Sequence, residues 1–138
     1  LWWVDAGNGD NYGQVVIGNT NAASHCLPVG SVYQALPLPT VQKPELLNQA
    51  PTPLSCAEVA EEQGPTINLT MAAVVVEVVR RLIDGTCPWV QLYVDMEAGT
   101  LVPVLAIPET IKSLTRKKGG NYHCEPYDWE DSKKGGEP

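Results

Sequence analysis

The longest run of apolar positions lies between Ile67 and Ile83 and predicts a helix. Strands usually span about 4–8 residues, so a run of this length favours a helix even though it is rich in β-branched valine. Arg80 and Arg81 fall in the last turn, where positive charge suits the carbonyl end of the helix dipole. Gly85 can adopt the left-handed conformation that closes a helix. Because nearly every position of the run is apolar, we expect a long helix that is buried on most sides.

The same run has to be weighed against a membrane span. A span needs about 20 consecutive apolar residues, and Glu77 with the two following arginines interrupts this run too early. We therefore expect a helix of a folded core and no membrane partner.

A shorter helix is predicted immediately before it, over residues 55–63. Ser55 and Glu58 have the spacing of a capping box, in which each side chain satisfies a free backbone N–H group of the first turn. Gly64 and Pro65 end this helix, because proline has no N–H group to donate and disfavours helical geometry in the residue before it.

Strands are predicted at both ends of the domain. Residues 1–6 form a short buried strand in this prediction, and 12–18 form a second strand after a turn rich in glycine and asparagine. Residues 89–96 alternate between apolar and polar positions and pair with 100–105 in a hairpin. Pro103 indicates that this last strand lies at a sheet edge, since proline cannot donate to a ladder of hydrogen bonds.

Two long stretches carry no periodic pattern. Residues 36–54 contain five prolines and predict an extended, exposed crossover loop, in which Leu46 and Leu47 can form a turn of helix. Residues 108–138 are rich in lysine and glycine, and we expect most of them to form a mobile tail. The folded domain is therefore expected to span residues 1–107.

Composition limits the classes of partner. A chain of 138 residues is long enough for one domain with its own core, and its 43% hydrophobic and 18% charged residues are ordinary for a globular protein. A net charge of −7 disfavours nucleic acid as a partner, because binding phosphates needs a basic face. A reduced, cytoplasmic location is the default expectation.

The spacing of the cysteine, histidine and glycine residues gives little support for a metal site or a nucleotide site. Four cysteines occur without a CxxC pair, and the adjacent pairs His25-Cys26 and His123-Cys124 would make a zinc site only if the fold brought them together. The glycines after residue 6 are no dinucleotide loop, because the third glycine would fall at Tyr12 and a strand follows. We expect no metal ligands and no cofactor bound by this chain alone.

Cys56 is the cysteine with a physical reason to be reactive. In the first turn of a helix, backbone N–H groups and the positive end of the dipole point at the sulfur and lower the pKa of the thiol. The alternative is structural, since cysteine is a small residue that often fills buried space. The residues alone leave both interpretations open.

Several motifs occur in an order that is characteristic when taken together. They are Ser55-Cys56-Ala57-Glu58, Gly64-Pro65, the apolar helix and the hairpin, preceded by Trp3-Val4-Asp5-Ala6-Gly7-Asn8-Gly9 and Gly13-Gln14-Val15. This order resembles the later half of the ThiF/MoeB/HesA family, the ubiquitin-activating-type adenylyltransferases. It is most similar to the ThiF-like protein of PRTRC systems. The likeness covers residues 1–18 and 54–107.

The resemblance implies an α/β fold: the C-terminal half of a Rossmann-like adenylating domain, with a mixed sheet, one long buried helix and a terminal β-hairpin. It implies an ATP-dependent enzyme that activates the C-terminus of a ubiquitin-like or sulfur-carrier protein, with ATP and magnesium bound by the intact family member. Cys56 matches the catalytic cysteine through which some members pass the activated group, and residues 36–54 match the loop over the active site. Relatives are commonly dimers, which leaves a homodimer open.

The chain also departs from the family pattern. The glycine-rich nucleotide loop, the phosphate-handling arginine and lysine and the metal-binding aspartate would all lie before Leu1, and Asp5 is not that aspartate. The CxxC zinc ligands of many relatives are missing. We therefore expect a fragment: the carrier-facing half of an adenylyltransferase, inactive alone. The alternative is a non-catalytic protein-binding module derived from the same fold.

Overall fold

The computed structural model describes residues 1–20, 28–29, 32–33, 35–48 and 64–116. These residues form a mixed α/β fold in which helices lie against a four-stranded antiparallel sheet. The short helix predicted at 55–63 lies outside the described residues.

The strands are β1 (Trp3–Asn8), β2 (Tyr12–Gly18), β3 (Pro28–Val29), β4 (Val32–Tyr33), β5 (Trp89–Asp95) and β6 (Thr100–Leu105). The helices are α1 (Pro39–Gln42), α2 (Pro65–Ile83) and α3 (Pro108–Arg116), and a 3-10 helix spans Pro44–Asn48.

The main sheet has the strand order β1-β2-β5-β6, and each neighbouring pair is antiparallel. The central pairing joins β2 to β5, with Tyr12 opposite Asp95 and Val16 opposite Gln91. The expectation of a mixed sheet is therefore wrong for the described strands, because two hairpins meet through an antiparallel central pair. β3 and β4 form a separate two-stranded antiparallel sheet.

The predicted long helix is confirmed as α2, and its C-terminal end follows the sequence signals. Its start differs from the prediction, which places Gly64 and Pro65 at the end of the preceding helix. Pro65 occupies the first turn, where its missing N–H group costs no hydrogen bond. At the other end Gly85 has a positive φ of 66°. Its N–H group donates to the Leu82 carbonyl at 3.3 Å, while Thr86 N–H donates to the Arg81 carbonyl at 2.8 Å. This pair of bonds is the Schellman motif, which satisfies the last carbonyls of the helix.

The burial of α2 differs from the prediction. Its inner face, with Ile67, Met71 and Val78, packs on β1 and β2 and is buried, but its outer face is exposed. The sequence shows an almost uniformly apolar helix, and in the described part of the chain the sheet covers it from one side only. The expectation of one long buried helix is therefore wrong for the outer face.

The close packing of α2 on the sheet depends on a glycine in β2. A Cβ atom at Gly13 would overlap the thioether of Met71. Because Gly13 has no side chain, the Met71 side chain packs directly against the backbone of the strand. The same face of the sheet contributes the core residues Val15, Ile17 and Leu92.

The proline-rich stretch is only partly a loop. Leu36, Pro37, Pro39 and Gln42 are buried, so the expectation of an exposed loop is wrong for residues 36–42. These residues run beside the end of β2, where the backbone N–H groups of Asn19 and Thr20 donate to the Leu36 carbonyl at 3.0 and 3.1 Å. The predicted turn of helix around residues 46 and 47 is confirmed by the 3-10 helix over Pro44–Asn48.

Among the described strands, β1 and β6 lie at the two edges of the sheet. The edge position predicted for the strand with Pro103 is confirmed. β1 is largely exposed, with Trp3 53% exposed, so the predicted buried strand is instead an edge strand.

α3 follows the β5–β6 hairpin and was not predicted. Its residues Ile111 and Thr115 are buried, so the first part of the stretch assigned to a tail packs against the domain. The hairpin is thus followed by a further element, and residues 117–138 lie outside the described residues. No helix in the part of the chain that the structure describes is both long and apolar enough to cross a membrane.

Candidate functional site

The sheet face opposite α2 contains an open trough. Alternation along the strands places side chains of Tyr12 and Gln14 on this face, because the intervening Gly13 faces α2. The trough is defined here by six residues that line a depression of about 670 Å³: Asp5, Gly7, Tyr12, Gln14, Tyr93 and Asp95. Gly7 adds no side chain, and a Cβ there would meet nothing within 4 Å, which leaves the trough open.

The polar groups of the trough are mainly hydrogen-bond acceptors and aromatic rings. Asp5 and Asp95 carry carboxylates, and Asp95 Oδ1 accepts the backbone N–H groups of Glu97 and Ala98 at 3.0 and 2.9 Å. Lys43 Nζ lies 5.3 Å from the centre of the Tyr93 ring, so a cation lies next to one of the residues that line the trough. Such a surface can bind the N–H groups of an extended polypeptide.

A chain of buried hydrogen bonds fixes Tyr93. Its hydroxyl donates to Gln91 Oε1 at 2.8 Å, and Gln91 Nε2 donates to Gln42 Oε1 at 2.9 Å. Gln42 Nε2 donates in turn to the carbonyl oxygens of Ile17 and Pro37, at 2.8 and 2.6 Å. Among the described residues no buried side-chain nitrogen or oxygen is left without a partner. The network therefore holds α1, β2 and the trough in one arrangement.

A charged cluster lies at the C-terminal end of α2. Glu77 accepts hydrogen bonds from Arg80 at 2.8 and 2.9 Å and from Arg81 at 2.6 Å, and Arg80 also contacts Asp84 at 2.8 Å. The bonds from Arg80 and then Arg81 lower the pKa of Glu77 to about 2. The Arg81 guanidinium lies 4.5 Å from the centre of the Trp89 ring. The charged groups of this cluster form hydrogen bonds and ion pairs with one another. We therefore assign the cluster a structural role.

Cys87 is the cysteine that the structure describes, and it lies in the connection between α2 and β5. It is buried, and burial raises the pKa of its thiol. Its Sγ–H group donates to the Trp89 carbonyl at 3.9 Å. Burial is the largest effect on this thiol and disfavours the thiolate, so Cys87 is not suited to be a nucleophile.

The predicted catalytic residue, Cys56, lies outside the described residues, and so do the His25-Cys26 and His123-Cys124 pairs. Among the described residues no group of three histidine, cysteine, aspartate or glutamate side chains could hold a metal ion. Asp5, which is not predicted to be the metal-binding aspartate of the family, lines the trough.

Sequence reasoning missed the trough. The alternation within each strand was visible, and it places Gln14 and Tyr93 each on one face of its own strand. What the sequence did not show is that β2 and β5, separated by 70 residues of chain between Gly18 and Trp89, are neighbours that set Gln14 opposite Tyr93.

Comparisons of the chain with family models, with curated proteins and with solved structures find no match. The resemblance to the ThiF family thus rests on the motifs of the sequence.

Proposed function

We propose that the chain is the carrier-facing half of an ATP-dependent adenylyltransferase that activates the C-terminus of a ubiquitin-like or sulfur-carrier protein. One observation carries the proposal. The two stretches that resemble the ThiF family, residues 1–18 and 54–107, are far apart in sequence but meet in one sheet through the pairing of β2 with β5. A family likeness in two separate stretches has more weight when both belong to one structural unit.

The trough supplies a surface for the carrier in this proposal. An extended C-terminal segment carries a backbone N–H and a carbonyl group at nearly every residue. Asp5 and Asp95 can accept hydrogen bonds from such N–H groups, while Gln14 offers both a donor and an acceptor. The ring of Tyr12, which is 67% exposed, provides apolar contact at the same end.

The described residues do not fit a site for magnesium and ATP. No three of their metal-ligating side chains form a group, and the glycines near residue 9 lead into strand β2 rather than a helix. We therefore propose that ATP and magnesium are bound by residues other than the described ones. Cys56 remains the proposed nucleophile: its thiolate attacks the carbonyl carbon of the carrier's acyl-adenylate, the bond to the phosphate oxygen breaks, and a thioester forms with release of AMP.

The test is ATP–pyrophosphate exchange with this chain supplied together with a ThiF-like nucleotide-binding half and candidate carrier proteins. Exchange that depends on a carrier is the expected result. Tyr12→Ala is expected to raise the KM for the carrier several-fold and to leave the KM for ATP unchanged. Lys112→Ala on α3 is the control and is expected to change neither. Absence of exchange with every carrier, while the nucleotide half binds ATP, would count against the enzyme.

A second candidate is a non-catalytic protein-binding module of the same fold. The observation that favours it is the trough itself, which is fully formed by described residues and needs no nucleotide to exist. Titration of the 138-residue chain with carrier proteins, followed by backbone amide NMR, separates the two functions. Carrier binding at Tyr12 and Gln14 without any exchange activity supports the module.

A further inference from the structure

Strand β1 has one paired side and one outer side. Among the described strands it pairs with β2, and Gly9 N–H donates to the Tyr12 carbonyl at 2.9 Å in the turn between them. Hydrogen-bonded and non-hydrogen-bonded pairs alternate along an antiparallel ladder. Counting back from Gly9, the bonded positions of β1 are therefore 7, 5 and 3. The backbone N–H and C=O groups of Val4 and Ala6 consequently point away from β2.

These outward backbone groups are open to a further strand. In the part of the chain that the structure describes, no residue outside the ladder bonds to the backbone of Val4 or Ala6. Ala6 is exposed. β1 contains no proline, whereas the opposite edge strand, β6, is interrupted by Pro103. An edge without such protection is the part of a sheet that binds an extended polypeptide by adding it as a strand.

A pocket of about 260 Å³, which we call the edge pocket, lies beside the same strand. Two of its residues come from β1, and the others come from α1, the 3-10 helix and the residue between them. The edge pocket is lined by Trp3, Asp5, Pro39, Thr40, Lys43 and Leu47. When a strand is added to a sheet, backbone hydrogen bonds give affinity, and pockets for alternate side chains give specificity. Both components of such a site are therefore present at β1.

The walls of the edge pocket favour a long cationic side chain. Trp3 is 53% exposed and Leu47 is 66% exposed, so both offer apolar surface to methylene groups. The Lys43 ammonium lies 5.3 Å from the centre of the Tyr93 ring. Asp5 forms no ion pair or side-chain hydrogen bond with a described residue, so its carboxylate is the acceptor left for a ligand. Arginine matches these groups, because a guanidinium stacks on an indole ring and donates two hydrogen bonds to a carboxylate.

The charge of the chain favours the same class of partner. The net charge is −7, and no lysine or arginine occurs before Lys43. β1 and the turn that follows it carry the carboxylates of Asp5 and Asp10. An excess of negative charge attracts a basic segment and raises its rate of association.

We propose that the outer edge of β1 binds an extended basic segment of a partner protein as an additional strand. The segment forms hydrogen bonds with the backbone of Val4 and Ala6, and one of its arginine side chains enters the edge pocket between Trp3 and Asp5. This binding needs neither ATP nor a carrier protein, so it stands or falls separately from the adenylyltransferase activity.

Isothermal titration calorimetry of the 138-residue chain with synthetic peptides tests the site. The probe is a capped peptide of about eight residues in which threonine alternates with arginine. A peptide with leucine in place of every arginine is the comparison. The arginine peptide is expected to bind about tenfold more tightly, because it adds a charge-assisted contact with Asp5. No binding of the arginine peptide, or equal binding of the two peptides, overturns the proposal.

Methylation of the peptide's backbone amides separates strand addition from attraction between charges alone. One variant of the arginine peptide carries N-methyl groups on its threonines, and the other carries them on its arginines. Every second N–H group of an added strand faces its neighbour, so one variant is expected to lose binding and the other to retain it. The two variants have the same charge. Equal binding by both overturns the strand addition.

Variants of the chain test the two parts of the site. Asp5→Asn is expected to weaken binding of the arginine peptide about tenfold and to leave the leucine peptide unaffected. Glu109→Gln is the matched control, since Glu109 is exposed on α3 and lies outside the edge pocket. It should bind both peptides like the wild type. A loss that is equal for Asp5→Asn and Glu109→Gln overturns the assignment of Asp5.

Ala6→Pro removes an outward N–H group and is expected to abolish binding of both peptides. It should remain folded by circular dichroism, because proline is tolerated in an edge strand where its N–H would face outward. Amide hydrogen exchange of the wild-type chain gives a readout that needs no variant. The arginine peptide is expected to slow exchange at Val4 and Ala6. Binding that leaves exchange at both amides unchanged overturns the proposal.

Discussion

Gln91 and Gln42, 49 positions apart in the chain, are joined by a hydrogen bond of 2.9 Å from Nε2 of Gln91 to Oε1 of Gln42. Both side chains are buried, with 3% and 7% of their surfaces exposed. This bond ties the proline-rich stretch to the central strand β5. It is the middle link of the network that ends at the Tyr93 hydroxyl.

We expect Gln42→Ala to destabilise the fold strongly. The Ile17 and Pro37 carbonyls and the Gln91 amide would all lose their partner, and each unsatisfied buried group costs about 1–3 kcal/mol. Tyr93→Phe removes a single donor at the end of the network and should cost about 1 kcal/mol. Urea unfolding measures both free energies. Similar losses for the two variants would show that the network does not act through Gln42.

We expect Gly18→Ala to lower the free energy of unfolding by about 1–3 kcal/mol, because overpacking a rigid site forces the backbone to shift. A Cβ at position 18 would overlap the carbonyl group of Pro37 and approach the Leu38 backbone to 2.8 Å. Gly7→Ala is the matched control, since a Cβ there would meet nothing within 4 Å. Thermal or urea unfolding of the two variants gives the comparison. An equal effect at both positions would contradict the close approach of residue 37 to β2.

Glu77 gives a pH dependence with a defined sign. Hydrogen bonds from Arg80 and Arg81 lower its pKa from 4.5 to about 2 in the folded chain. Its contribution to stability is therefore fully present above pH 4.5 and is lost as the pH falls from 4.5 towards 2. We expect the difference in unfolding free energy between the wild type and Glu77→Gln to shrink over this window. Because the cluster is exposed, salt should reduce the difference at every pH.

Glu109→Gln, on the exposed surface of α3, is the control for the Glu77 measurement. It should leave the pH dependence between 2 and 4.5 close to that of the wild type. NMR titration of the Glu77 carboxyl carbon measures the same pKa directly. A midpoint near 4.5 would contradict the geometry of the cluster.

Alkylation of the cysteines distinguishes the two interpretations of Cys56. Burial raises the pKa of the Cys87 thiol and restricts access, so Cys87 should react slowly at neutral pH. Cys56 should react faster than the other three cysteines if the helix dipole lowers its pKa. Iodoacetamide labelling followed by peptide mass spectrometry gives the four rates, with urea-unfolded protein as the reference. Modification of Cys56 at or below the rate of the others would favour a structural role.

Much of the local structure was accessible from the sequence. The end of α2 just before Gly85 follows from glycine chemistry that acts within a few residues. The edge position of β6 follows in the same way from the missing N–H group of Pro103. Each of these features depends on neighbours in the chain.

The features that the sequence did not predict depend on distant contacts. The valine-rich run of α2 indicates burial on most sides, yet among the described residues only the side towards Met71 meets the sheet, because burial depends on which elements pack against a helix. Gln42 lies in a proline-rich stretch that is typical of exposed loops, so its burial could not be predicted from the local pattern. The helix α3, with Ile111 in its centre, was masked by the lysine- and glycine-rich sequence that follows it.

Pro103 has a consequence for the solubility of the protein. Strand β6 exposes Leu101, Val102 and Leu105 along a rim where further chains would otherwise stack in register. A polymer that grows from such a rim needs a continuous row of amide hydrogens, and proline interrupts that row at its centre. Replacement of Pro103 by another residue would supply the missing amide hydrogen and leave an edge that is open to pairing with a further strand.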